Sequence, residues 1–402
     1  MKKLRDKTKK KYYHLRRSYS VPDEEPKRLV IGKAKWFNNA DSPVMLMIDD
    51  LANAWHSTTG KTKWDFGGDW GGGLQREGST IRFLKERLLK DFPEAKVTFF
   101  AIAGKIRLCT NTEQFTFAEP LHFTDASRRF FRDLDKDDNF EIAYHGYSHG
   151  TPGANKEDFV QEWNGFGSVS EACDQISKGK EIFNDVLGRF PFGGKYGGWK
   201  YNELADESID KSGFLWWCRD WMSRDVHDRI DDSYYDPQFF GDNLVVALPS
   251  TVHGFFWDVK QIDKLIDKKQ IISIEEHIAP LRPDGRTQTP NIIDDINELR
   301  SLFSYLQKKN IWYATGTEVA KYFVAFSFTT IYDIKQDSFK INYKGRVKEP
   351  MLTLLIDFRH IRDRKPINII TPDNEIIKCT YKNKLHLANV KIKNGRYKVK
   401  IR

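Results

Sequence analysis

Residues 44–50 read VMLMIDD: five apolar side chains, Val44 to Ile48, end on the carboxylates Asp49 and Asp50. An apolar run this short, carrying Val and Ile, predicts a buried strand. The same kind of run recurs at Val97–Ala101, Ile142–Tyr144, Phe214–Trp217, Leu244–Leu248, Ile271–Ile274 and Ile311–Ala314. Segments of helical period lie between several of them. Ile81, Leu84 and Leu88 share one face of Thr80–Phe92, and Val169–Leu187 and Ile292–Leu306 each carry one apolar stripe. Alternation of strand and helix predicts an α/β domain with a parallel sheet, and about seven such units suit a barrel or a large wound sheet.

After Phe323 the pattern changes to strand-like runs without helices, from Phe326–Ile331 to Arg396–Ile401, which predicts a small C-terminal β-sandwich. The expected organisation is a basic arm over 1–28, a catalytic domain over 29–324, and an all-β domain over 325–402 that the chemistry does not need. Charge follows the same division. Residues 1–28 hold eleven Lys and Arg against four Asp and Glu, residues 325–402 hold eighteen against seven, and the middle is acidic at 36 against 45. Basic ends suit an acidic polymer or a membrane surface, or serve as a solvated face, and no nucleic-acid motif accompanies them. No apolar run approaches the roughly 18–20 residues of a membrane helix. No apolar segment follows the basic Met1–Ser20, so a cytoplasmic location is expected. Cys109, Cys173, Cys218 and Cys379 lie far apart and suggest neither a zinc ribbon nor a disulfide framework.

Ligands of parallel α/β sheets sit at the C-terminal ends of strands. Asp49 and Asp50 follow the first run, and His145 and His149 follow Ile142–Tyr144. Asp220 and Trp221 follow Phe214–Trp217, and Glu275, Glu276 and His277 follow Ile271–Ile274. Carboxylates and imidazoles gathered at one sheet edge are ligands for zinc or a similar divalent ion. Each signal has a plain structural alternative, a cap for Asp49-Asp50 or a satisfied core histidine for His277, but the ordered set is hard to obtain by accident.

This set resembles the polysaccharide deacetylase family (NodB homology, carbohydrate esterase family 4). "MIDD" at Met47–Asp50, "TFF" at Thr98–Phe100, "HGYSH" at His145–His149, "RFPFG" at Arg189–Gly193, "RDW" at Arg219–Trp221 and "IEEH" at Ile274–His277 match its motifs in order, over about residues 42–323. The resemblance implies a distorted (β/α) barrel and a metal-dependent hydrolase that removes acetyl groups from N- or O-acetylated sugars. It assigns the metal to Asp50, His145 and His149, with Zn²⁺ foremost and Co²⁺, Ni²⁺ or Mn²⁺ also suited.

On this reading Asp49 is the general base, and Arg189 keeps it ionised, with Lys195 as the other cation able to do so. His277 is the general acid, oriented by Asp220, with His253 as its rival. A backbone N–H near Phe192 meets the oxyanion. Trp221 either walls the acetyl pocket or is plain core. Trp55–Gly78, with Trp55, Trp64, Trp70 and seven glycines, reads as a substrate loop whose Trp55 and Trp70 face sugar rings, or else as a packed insertion. The competing readings are an amide hydrolase for non-sugar C–N bonds, a non-catalytic carbohydrate-binding protein, and a glycosyltransferase. The glycosyltransferase reading leaves His145, His149 and His277 unexplained.

Overall fold

The computed structural model describes residues 29–54, 79–107, 116–151, 158–219, 235–254, 256–278, 288–358, 366–382 and 384–401. Trp55, Trp70, Cys109, Asp220 and Trp221 lie outside the described residues. β1 is Leu29–Lys33 and β2 is Ser42–Leu51. The latter is buried along its whole length except at Asp50, as a strand covered on both faces should be. The central sheet continues with β3 (Val97–Ala101), β4 (Phe140–Tyr144), β5 (Gly193–Lys195) and β6 (Trp216–Arg219). Then come β7 (Gln238–Phe240), β8 (Val245–Pro249), β9 (Val252–His253), β10 (Ile272–His277) and β11 (Ile311–Tyr313).

The strand order is β7-β8-β6-β5-β4-β3-β2-β10-β9, with β11 beside the start of β2. All pairings are parallel except β7 with β8. β8 and β9 follow one another directly, yet one pairs with β6 and the other with β10. The sheet therefore curls back toward itself through Ser250–Thr251. The bend is pinned by Ser273, whose hydroxyl donates to the Pro249 carbonyl at 2.5 Å and whose backbone N–H donates to the Thr251 hydroxyl at 2.9 Å.

Alternation along the strands divides the core in two. Val44, Leu46 and Ile48 point toward the flanking helices, whereas Met45 and Met47 join Phe100, Ala143, Trp216 and Leu248 on the inner face. The helices α1 (Thr80–Leu84), α2 (Asp125–Asp135), α3 (Val169–Leu187), α4 (Ala205–Lys211), α5 (Val259–Asp267), α6 (Ile296–Leu306) and α7 (Gly316–Phe328) connect the strands. Their ends are chemically marked. Ser168 caps α3 through the Glu171 N–H and Gly188 ends it at φ 72°, while Thr315 and Glu318 form a capping box on α7.

The C-terminal strands are β12 (Thr329–Tyr332), β13 (Ser338–Tyr343), β14 (Met351–Phe358), β15 (Ile367–Ile370), β16 (Ile376–Lys378), β17 (Thr380–Lys382), β18 (Leu385–Lys391) and β19 (Gly395–Ile401). They form a five-stranded sheet, β12-β13-β19-β15-β16, and a four-stranded one, β1-β14-β18-β17.

Two elements depart from the expected division at 324/325. β1 pairs antiparallel with β14, so Leu29–Lys33 belongs to the C-terminal sheets. The expected strand at Phe326–Ile331 is instead the end of α7 followed by β12, because the helix runs through the boundary to Phe328. Leu352, Leu354, Phe339 and Tyr397 share one apolar cluster with Trp216, Met45 and Val319, so packing does not break between the regions. Each such buried side chain contributes roughly 1.5–3 kcal/mol. A chain ending at Phe328 should therefore be recovered insoluble, or with its unfolding transition lost. A soluble fragment with the full-length Tm would contradict the shared core.

Glu276 stands on the outer face of β10, fully buried, and among the described residues neither carboxyl oxygen has a hydrogen-bond partner. Burial first, then Asp295 and Glu275 nearby, pushes its pKa well above the ordinary value. A carboxyl with a raised folded pKa stabilises the fold fully below its unfolded pKa of about 4.3, and that contribution is lost as pH rises through the folded value. Glu276→Gln should thus raise Tm at about pH 8, by a change on the order of 1–3 kcal/mol, and do little at about pH 4. Equal Tm differences at both pH values would show that this carboxyl does not titrate in the fold.

Candidate functional site

Parallel register brings the functional side chains to one edge. Asp49 lies opposite His277 across β2 and β10, and His145 follows β4, its N–H donating to the Ala101 carbonyl at 2.9 Å. The register of β2 with β3 shifts between Ile48 and Leu51. Within that irregularity Asp50 adopts φ 65°, a left-handed conformation costly for a non-glycine residue. The shift separates the two acids. Asp49 keeps the inner-face direction of Met45 and Met47, and Asp50 is turned toward the histidines.

The His145–His149 loop is shaped by Glu162. Its carboxylate accepts the backbone N–H groups of Tyr147, Ser148 and His149, each at 2.9 Å. Gly146, at φ 111°, passes so close that a Cβ there would lie 2.6 Å from Glu162 Oε2. His149 is held at φ 64° by the same clamp.

Asp50 Oδ1 lies 3.3 Å from His145 Nε2 and 3.2 Å from His149 Nε2. Burial alone would raise the Asp50 pKa, but the His149 and His145 imidazoles outweigh it and hold the carboxyl well below the usual range. Conversely, burial would lower His149, and the Asp50 charge raises it. His145 Nδ1 lies 3.1 Å from the Lys195 carbonyl, which orients the ring and turns Nε2 toward Asp50. Among the described residues, the buried Asp49 Oδ1 and His149 Nδ1 have no hydrogen-bond partner. One carboxylate oxygen and two imidazole nitrogens, mutually within 4.8 Å, fit a divalent ion such as zinc.

Asp49 stands between this triad and His277. Its Oδ2 is 2.6 Å from Lys195 Nζ and 3.8 Å from both His145 Nε2 and His277 Nε2. Lys195 is fully buried and also contacts Glu275 Oε1 at 2.9 Å, and its Nζ lies 3.9 Å from the centre of the Trp199 ring. Desolvation would lower its pKa, but Asp49 and Glu275 together raise it, so it stays charged. His277 Nδ1 lies 2.7 Å from the Pro290 carbonyl, and its Nε2 faces Asp49.

Two expectations are corrected. Arg189 binds Asp135 of α2 through Nη2 and Nε, not Asp49. Phe192 is 40% exposed, its ring lying under Arg189 and Lys321. Both precede β5, and that strand runs away from them toward the site, so they sit at the opposite sheet edge from the metal ligands. The cation beside Asp49 is Lys195, at the far end of the same strand. β5 itself had no apolar signal, because its glycines are dictated by neighbours: a Cβ on Gly193 would overlap the Trp216 ring, and one on Gly194 the Tyr144 carbonyl. Glu275 is among the strand-end carboxylates of the sequence but has no role assigned there, and Trp199 is not singled out at all. Glu275, two residues before His277, was legible from strand alternation, whereas the Trp199 Nε1 hydrogen bond to Glu275 Oε1, 2.7 Å, had no local signal.

No protein-family model and no curated protein matches the chain. Among solved structures it is similar to Agd3, described as a novel carbohydrate deacetylase, at 12% identity and TM-score 0.45 over 89% of this chain and 65% of that one. It is also similar to 4-alpha-glucanotransferase from Thermococcus litoralis, at 16% identity and TM-score 0.40 over 69% and 40% of the two chains. A third is a family 4 acetyl xylan esterase from Clostridium thermocellum in complex with a cobalt ion, at 12% identity and TM-score 0.35 over 69% and 90%. Carbohydrate deacetylases thus recur among the similar structures, but at these scores none fixes a residue correspondence.

Proposed function

We propose that this chain is a metal-dependent hydrolase that removes an acetyl group from an N- or O-acetylated sugar or glycan, its curled sheet acting as a distorted barrel. The observation that carries the reading is the position of Asp49 Oδ2, 3.8 Å from a ligand histidine on one side and 3.8 Å from His277 on the other. The motif order in the sequence supports an acetylated carbohydrate as substrate.

Asp50, His145 and His149 would hold the ion. Such an ion, when bound, supplies Lewis acidity toward the acetyl oxygen and makes water a stronger acid. Asp49, ion-paired with Lys195, takes the proton from the attacking water as the new C–O bond forms. Glu275 and Trp199 hold Lys195 in place. His277, with Nδ1 committed to the Pro290 carbonyl, carries its mobile proton on Nε2 and gives it to the leaving nitrogen or oxygen as the old bond breaks. The products are acetate and the free amine or hydroxyl. The Pro290 carbonyl orients His277, so Asp220 is proposed only to place a negative charge near it; Trp221 keeps its proposed role of walling the acetyl pocket, as do Trp55 and Trp70 for sugar stacking.

Purified protein should carry about one equivalent of divalent metal, and His145→Ala/His149→Ala should carry almost none by elemental analysis. Equal metal in both would place the site elsewhere. Asp49→Asn should retain metal and lose at least about 10²-fold in acetate release. Undiminished release by metal-loaded Asp49→Asn would assign the base to another group.

His277→Ala should also retain metal and lose about 10²–10⁴-fold on an acetamido substrate, where the amine must leave protonated. Its loss on an activated aryl acetate should be much smaller. Equal losses on both substrates would make His277 structural.

A further inference from the structure

The five-stranded C-terminal sheet turns Phe339, Ile341, Ile369, Tyr397 and Val399 inward. Antiparallel partners share a face, so its register defines the outer one. Lys340 lies opposite Arg396, Lys398 opposite Ile370, and Ile370 opposite Ile376. Lys400 lies opposite Asn368, and Asn368 opposite Lys378. Five basic side chains and no carboxylate stand on the strands of this face. Asp333 takes up Arg396 and Lys340. Lys378, Lys398 and Lys400 are exposed and form no ion pair among the described residues. Between and beside them stand Ile376, 62% exposed, and Tyr332, 45% exposed.

This face lies away from the catalytic edge. Arg346 joins the C-terminal region to the backbone carbonyls of Phe214, Leu215 and Leu244, just before β6 and β8 begin. Trp36 Nε1 likewise donates to the Lys269 carbonyl, ahead of β10. The C-terminal sheets thus pack under the N-terminal ends of the central strands, whereas Asp49, His145 and His277 are at the C-terminal ends. The strongly basic residues 1–28 lead directly into β1 of the same region, while residues 29–324 are net acidic.

We propose that the outer face of this sheet docks on an anionic phospholipid surface, with the catalytic edge turned away from it. Charge complementarity selects an anionic partner. The apolar residues select a bilayer over a soluble polyanion: a headgroup region accommodates Ile376 and Tyr332 among lysines, whereas a hydrated polyanion gains nothing from them. This inference is independent of the proposed deacetylase activity.

The test is co-sedimentation of the full chain with phosphatidylcholine vesicles, with and without phosphatidylserine. The protein should bind only the anionic vesicles and release them as salt rises. Each lysine near the surface is worth about fivefold in partitioning. The triple variant Lys378→Gln/Lys398→Gln/Lys400→Gln should therefore lose at least about tenfold. The charge-matched control Lys90→Gln/Lys178→Gln/Lys260→Gln, placed outside this face, should lose little. Ile376→Ser should weaken vesicle binding but leave heparin binding unchanged. An unchanged Tm in each variant assigns the losses to the face rather than to unfolding. The proposal is overturned if the wild type ignores anionic vesicles, if it binds heparin but not vesicles, or if the two triple variants behave alike.

Discussion

The structure is organised around a buried charge balance. Asp49, Asp50 and Glu275 converge on a region nearly closed to water, and Lys195, with no exposed surface, is the cation placed among them. Among the described residues these three carboxylates face one lysine, and, with burial opposing it, the Asp50 charge raises the neighbouring His149 pKa. Isolated buried carboxylates are costly, and breaking a buried pair typically costs about 3–5 kcal/mol. A divalent ion at Asp50, His145 and His149 would offset that cost. Other buried acids are handled differently. Glu162 accepts three backbone N–H groups, and Glu141 accepts the Thr317 N–H at the start of α7. The ligand-bearing cluster is thus the place where several buried carboxylates converge on one cation.

Backbone geometry makes that cluster possible. A regular β2 would send Asp49 and Asp50 to opposite faces of the sheet. The register shift beside β3, with Asp50 in the left-handed region, lets both serve one site. The Glu162 clamp does the same for His149, and only glycine fits at position 146 within it. Local strain at two ligand positions is offset by pairing elsewhere along fully buried strands, in keeping with a site where geometry rather than stability sets the conformation.

Much of this was legible in the sequence. Buried strands announce themselves by apolar runs, so Val97–Ala101 and the helix Val169–Leu187 appear as read. Strand ends then carried Asp49, Asp50, His145, His149 and His277 to one edge. What failed was written in other terms. β5 is specified by what its glycines must avoid, not by side chains of its own, so Arg189 and Phe192 were placed at the wrong end of it. α7 and β1 cross the expected domain boundary because tertiary packing recruits them, and neither charge nor periodicity encodes such recruitment. The Trp199–Glu275–Lys195 contact joins residues 76 and 80 positions apart and has no sequence signature.

The proposed activity rests on the convergence of Asp49 and His277 beside the Asp50–His145–His149 triad. The most direct measurement is acetate release by purified full-length protein over a panel of acetylated glycans, before chelation, after chelation, and after restoring Zn²⁺ or Co²⁺. The proposed deacetylase centre predicts release from at least one glycan, abolished by chelator and restored by metal. Release that persists undiminished after complete metal removal, or none from any acetylated glycan by metal-loaded protein, would contradict it.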